Sequence, residues 1–143
     1  MIIDKAIEDI KDLIFFYATS GSHFYIKEEE EIDTEKAKKL INQTICDLDI
    51  INKGIQSGNL KCDEEKFYDY LEQVIQLNTK FHSQQFQTEE EKKLQKLLIQ
   101  KITDLNSAIT NWNDTHEQKI MTLSQAKEKY KKAMLEGLKF FPY

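Results

Sequence analysis

The sequence predicts an all-α fold, an antiparallel helical bundle of four to five helices, and three observations predict it. From Asn59 to Glu136 the chain runs 78 residues without a glycine or a proline, the residues that cost about 1 and about 3 kcal/mol in a helix interior relative to Ala. That run is filled with Leu, Lys, Glu, Gln and Ile, and its apolar residues recur at steps of three and four. A length of 143 residues fits a single domain, 1–143, large enough to bury a core without a disulfide or a metal.

Each element follows from local pattern. Helix 1 is expected over Ile3 to Ala18, where Ile3, Ala6, Ile7, Ile10, Leu13, Ile14 and Tyr17 make one apolar stripe and Gly21 supplies the stop. The acidic run Glu28, Glu29, Glu30 and Glu31 belongs in a solvated loop or at the start of helix 2, where negative charge suits the helix dipole. Helix 2 is expected over Thr34 to Gln56, capped by Asp33 or Thr34, with Ala37, Leu40, Ile41, Ile45, Leu48, Ile51 and Ile55 inward and Gly54 and Gly58 ending it. Asp63 offers the cap of helix 3, whose core face is Phe67, Leu71, Val74, Ile75, Leu77 and Phe81.

The Gln-rich stretch Ser83 to Gln87 breaks the chain, and Thr88 followed by Glu91 has the spacing of a capping box. Beyond it Leu94, Leu98, Ile102, Leu105, Ile109 and Trp112 form a heptad-like seam. The last two helices read either as one long broken helix or as an overhanging coiled coil. Unbroken to Glu136, the segment would extend about 74 Å, against about 35 Å for helix 2. A compact chain therefore needs a break, expected at Asn113 and Asp114 with Asp114 and Glu117 as the next capping pair. Helix 5 would then turn Ile120, Leu123, Ala126, Tyr130, Ala133, Met134 and Leu138 inward.

Composition narrows the chemistry. All 20 basic residues are lysine, and without the planar guanidinium fork neither base-specific nucleic-acid recognition nor phosphoryl transfer is expected. Residues 1–65 carry 15 acidic and 8 basic groups, whereas residues 66–143 carry 10 and 12. The acidic first half suits a basic partner. Cys46 and Cys62 match neither a CxxC pair nor a disulfide framework, which points to a reduced, cytoplasmic setting. Charged residues interrupt the first apolar stretch, and no segment approaches the roughly 20 apolar residues of a membrane span.

Catalytic and metal motifs are thin. His23, His82 and His116 stand apart, and three positions before His82 and His116 lie Thr79 and Asn113 rather than the Glu of a Glu-x-x-His metal pair. His82 and His116 are the weak metal candidates, and no cofactor is expected. Cys62, beside Asp63, is the one thiol near a helix start, where the dipole and the neighbouring acids act in opposite directions. The glycines at 21, 54, 58 and 137 form no phosphate loop. Lys127, Lys129, Lys131 and Lys132 around Tyr130 make a weak basic patch, read most simply as solvated helix surface. Phe15, Phe16, Tyr17, Phe24 and Tyr25 concentrate aromatic rings around the first connector, a pattern of core more often than of a site. Phe140, Phe141 and Tyr143 either pack over the bundle end or offer an aromatic partner surface.

The expected function is a non-enzymatic protein-binding helical bundle, such as an inhibitor, an immunity protein or a chaperone, engaging a more basic partner. Size, acidity and helicity carry that analogy. Its expected contact residues are Glu28, Glu29, Glu30, Glu31, Phe140, Phe141 and Tyr143. Two alternatives stand beside it: a bundle holding a metal or small ligand near His82 and His116, and a structural coiled-coil homodimer joined along the Leu94 to Trp112 seam.

Overall fold

The computed structural model describes residues 2–20, 34–60, 64–86 and 88–139. Glu28 to Glu31, Phe140, Phe141, Tyr143, His23 and Cys62 lie outside the described residues. Those described form an all-α bundle of five helices, α1 (Ile2–Ser20), α2 (Thr34–Ser57), α3 (Glu64–Ser83), α4 (Glu89–Thr115) and α5 (Leu123–Lys139), with no strand. None of these helices is long and apolar enough to cross a membrane.

The expected stripes form the core. Ile3, Ala6, Ile10, Leu13 and Tyr17 of α1, Ala37, Ile41, Ile45, Leu48, Ile51 and Ile55 of α2, and Phe67, Leu71, Val74, Leu77 and Phe81 of α3 are all buried. The seam of α4 buries Leu98, Ile102, Leu105 and Ile109 within the same chain, with Leu94 and Trp112 half-buried at its ends. Removing such side chains from water at about 25 cal/mol per Å² is the main force closing the bundle.

Helices α1 to α4 alternate in direction, and cross-links fix their register. Lys5 of α1 reaches Asp47 of α2 at 3.0 Å, and Lys36 sits over the Phe16 ring at 5.9 Å, so α1 and α2 run antiparallel. Asp4 meets Lys66 at 3.4 Å while Tyr17 meets Phe81 edge-on at 5.8 Å, which sets α1 parallel to α3. Lys38 pairs with Glu90 at 2.6 Å and Asp49 with Lys101 at 2.9 Å, which sets α2 parallel to α4. Four helices therefore form a ring in the order α1, α2, α4, α3, and α5 packs outside it on α3, with the Lys129 ammonium 4.0 Å from the Tyr68 ring centre.

Helix α2 ends within a residue of the sequence expectation, whereas the break after α4 and the cap of α5 differ from it, each for a visible reason. Helix α2 runs through Gly54 and ends at Gly58, whose φ of +76° closes the turn. At Gly54 the missing Cβ is what admits Leu60, since a Cβ there would stand 2.9 Å from the Leu60 Cβ.

The break after α4 falls at 116–122 rather than at Asn113 and Asp114. Asn113 stays helical and organises the connector from within, its Nδ2 donating to the Ile120 carbonyl at 2.9 Å and its Oδ1 accepting from the Ile120 amide at 2.7 Å. Ile120 accordingly precedes α5. The capping pair that starts α5 is Thr122 with Gln125, joined reciprocally at 3.1 and 3.0 Å, not Asp114 with Glu117.

Helix α5 is the least embedded element. Ala126 is its one buried apolar residue among those described, while Met134 and Leu135 are more than half exposed. Ala133 and Met134, expected inward, are exposed.

Candidate functional site

Two buried polar junctions interrupt the apolar core, and both lie under α1. The first forms at the α1 carboxyl end. Thr88 caps α4 by accepting from the Glu91 amide at 3.1 Å, and its hydroxyl donates to Glu91 Oε1 at 3.2 Å. The other carboxylate oxygen, Oε2, accepts from the Tyr17 hydroxyl at 2.8 Å. Glu91 is 1% exposed, yet each of its oxygens has a donor. The rings of Tyr17, Phe81 and Phe86 meet edge-on around it, at centroid distances of 5.8, 5.2 and 5.1 Å. Burial, together with the Glu91 carboxylate, holds the Tyr17 hydroxyl well above its ordinary value, so it stays a donor.

The second junction gathers side chains from three helices. The Lys5 ammonium donates to Asp9 Oδ2 at 2.8 Å and to Asp47 Oδ1 at 3.0 Å. The Asp47 side chain is 3% exposed, and its Oδ2 has no hydrogen-bond partner. Tyr70 of α3, fully buried, also leaves its hydroxyl without a partner. Burial is the largest cause lifting the Asp47 carboxyl to about 6, and the neighbouring Asp9 carboxylate, which accepts from the protonated form of Asp47, adds to the lift against the pull of Lys5. Asp9 is moved upward by burial, but donation from the Lys5 ammonium and from a protonated Asp47 outweighs that and holds it below the ordinary carboxylate value. The Tyr70 hydroxyl is pushed up by burial and by the nearby Asp47 charge.

The sequence candidates are distributed otherwise. His82 ends α3 near the start of α4, where the Phe81 carbonyl accepts from Gln95 Nε2 at 2.6 Å. His116 follows the other end of α4, its ring stacked on Trp112 at 3.5 Å. About 30 Å of helix separates the two, so one chain does not bring them to a common ion or ligand. Among the described residues no group of three or more His, Cys, Asp or Glu side chains could hold a metal. The basic patch also divides, with Lys129 on Tyr68 and Lys127, Lys131 and Lys132 exposed on α5.

Within the acidic first half, α1 carries four acids against two lysines, and residues 21–33 carry five acids against one lysine. Helix α2 carries four lysines against three acids, and of those Asp47 is buried and Asp49 pairs with Lys53 and Lys101. On α1, Glu8, Asp12 and Phe15 share one outward stripe at helical spacing, with Lys11 beside them. Phe15 is 68% exposed, and neither Glu8 nor Asp12 forms an ion pair with a described residue.

Asp47 escaped sequence reasoning, and Glu91, expected as the capping partner of Thr88, was not expected as a buried group bonded to Tyr17, though a signal existed. Asp47 lies three residues after Thr44 and four before Ile51 on the inward side of α2, and Glu91 continues the α4 seam three residues before Leu94. In comparison with known proteins, the chain matches no family model, no curated protein and no solved structure.

Proposed function

We propose that this chain is a non-enzymatic protein-binding helical bundle, in the manner of an inhibitor, an immunity protein or a chaperone, and that it engages a more basic partner through the outer face of α1. The observation that supports this is the exposed Phe15 ring on the same stripe as the acids Glu8 and Asp12. An exposed aromatic with charged neighbours is the arrangement from which interface anchors are built, the ring supplying buried area and the charges supplying orientation and encounter rate. The carboxyl half of the same helix is held on its inner face by the Tyr17–Glu91 junction, so Asp12 and Phe15 are presented on a fixed support.

The test compares wild-type protein and the F15A/D12K variant as bait for host proteins at low salt. The reading predicts a basic protein retained near stoichiometry by wild type, lost with F15A/D12K, and eluted by about 0.5 M salt, where charges are screened beyond a few ångströms. Equal retention by both baits, or elution indifferent to salt, contradicts it.

A further inference from the structure

We propose that Asp9 and Asp47 form a binding site for one proton, and that filling it latches α1 onto α2 in mildly acid conditions. The geometry supplies two carboxyl groups and one cation. Helix α1 contributes Lys5 and Asp9, α2 contributes Asp47, and α3 contributes the Tyr70 hydroxyl; no charged group of α4 or α5 among the described residues acts on the pair. Lys5 bonds one oxygen of each carboxyl, at 2.8 and 3.0 Å. Asp47 Oδ2 is left buried without a donor, and a buried oxygen without a donor is costly. A single hydrogen between the two carboxyl groups removes the repulsion and turns their contact into a hydrogen bond.

With that proton present, Lys5 balances the one remaining negative charge. When it leaves, two carboxylates face each other across the α1–α2 contact with one ammonium between them. One carboxylate sits on each helix, so the repulsion acts directly on that contact. The rest of α1 keeps its hold through Ile10, Leu13 and Tyr17. The consequence is local loosening of the amino-terminal half of α1 rather than loss of the bundle.

The direction with pH follows from linkage. Asp47 is held at about 6, above its unfolded value of 3.8, so the folded state keeps a proton that the unfolded chain has released. Its stabilisation is complete below the unfolded value, fades as pH rises through about 6, and changes no further above that. Asp9, held below its ordinary value, works in the opposite sense, but only in more acid solution.

Carboxyl-carbon NMR titration of the full chain, joined to amide hydrogen exchange corrected for its intrinsic pH dependence, tests this in wild type, D9N and D47N. The expected wild-type result is an Asp47 midpoint near 6, with protection of the first α1 turns falling about tenfold over the interval in which that group titrates, while protection of Leu105 and Ile109 in α4 stays level. D9N is expected to bring the Asp47 midpoint down toward the ordinary carboxyl value, and D47N to abolish the pH dependence of α1 protection. An Asp47 midpoint at the ordinary value, or the same α1 profile in D47N and wild type, overturns the proposal. If D47N does not fold, an Asp47 midpoint unmoved in D9N is equally decisive against it.

Discussion

Tyr17 and Tyr70 are both completely buried on neighbouring parallel helices, yet the Tyr17 hydroxyl donates to Glu91 at 2.8 Å and the Tyr70 hydroxyl has no partner. The same contrast runs through the junctions they belong to. Around Glu91 every carboxylate oxygen has a donor, and the helix cap of α4 is part of the network. Around Asp47 two acids divide one ammonium, and an oxygen is left over. Buried polar networks that are fully satisfied rigidify and specify a core, whereas partly satisfied ones are where stability is forfeited. The carboxyl end of α1 is thus a structural clamp, and its amino-terminal half is the part whose attachment responds to conditions.

Substitution at the two centres should break or sharpen this comparison most strongly at Glu91. E91A strands the Tyr17 hydroxyl and weakens the α4 cap at once, and should cost about 3 kcal/mol by urea unfolding. A cost below roughly 1 kcal/mol would mean that the clamp is incidental. D47N at the other centre replaces a carboxylate of which one oxygen lacks a donor, and its amide can donate to Asp9. At pH 7.5 it should therefore equal or exceed wild type in stability, with the difference shrinking as pH falls toward 4, read by thermal melts across that range. T88A tests the outermost member of the clamp. Its expected cost is about 1 kcal/mol, the usual magnitude for loss of an N-cap, and unchanged stability would place the Glu91 network outside the control of the cap.

The fold was legible because its determinants are local. A glycine- and proline-free run and apolar stripes at steps of three and four define α1 to α4, and the Thr88 to Glu91 spacing locates the start of α4 within a residue. The second break was misplaced because Asp114 and Glu117 share the capping spacing with Thr122 and Gln125. Asn113 chose between them by fastening Ile120, a contact seven residues long that no short pattern encodes. The exposure of Ala133 and Met134 was likewise hidden, since their spacing continues the apolar stripe on which Ala126 is buried.

The polar junctions were not legible. Lys5 and Asp47 lie 42 residues apart, Tyr17 and Glu91 lie 74 apart, and their meeting depends on the registers of α1 against α2 and α4. What the sequence did display was a charged residue on the inward side of an otherwise apolar helix, at 47 and again at 91. Such a residue is costly unless it finds a partner. In one place the fold supplied enough donors, and in the other it supplied one too few.

The most direct measurement is a pair of urea-unfolding curves, Y17F and Y70F, against wild type at neutral pH. Each variant deletes one hydroxyl from a fully buried tyrosine and keeps the ring, so the chemical change is the same. The contrast between the junctions predicts opposite signs: Y17F destabilised by about 2 kcal/mol because Glu91 loses a donor, and Y70F unchanged or more stable by up to about 1 kcal/mol because an unpaired hydroxyl is removed. Equal losses in the two variants would show that the Tyr70 hydroxyl is satisfied in solution and would contradict the distinction between the junctions.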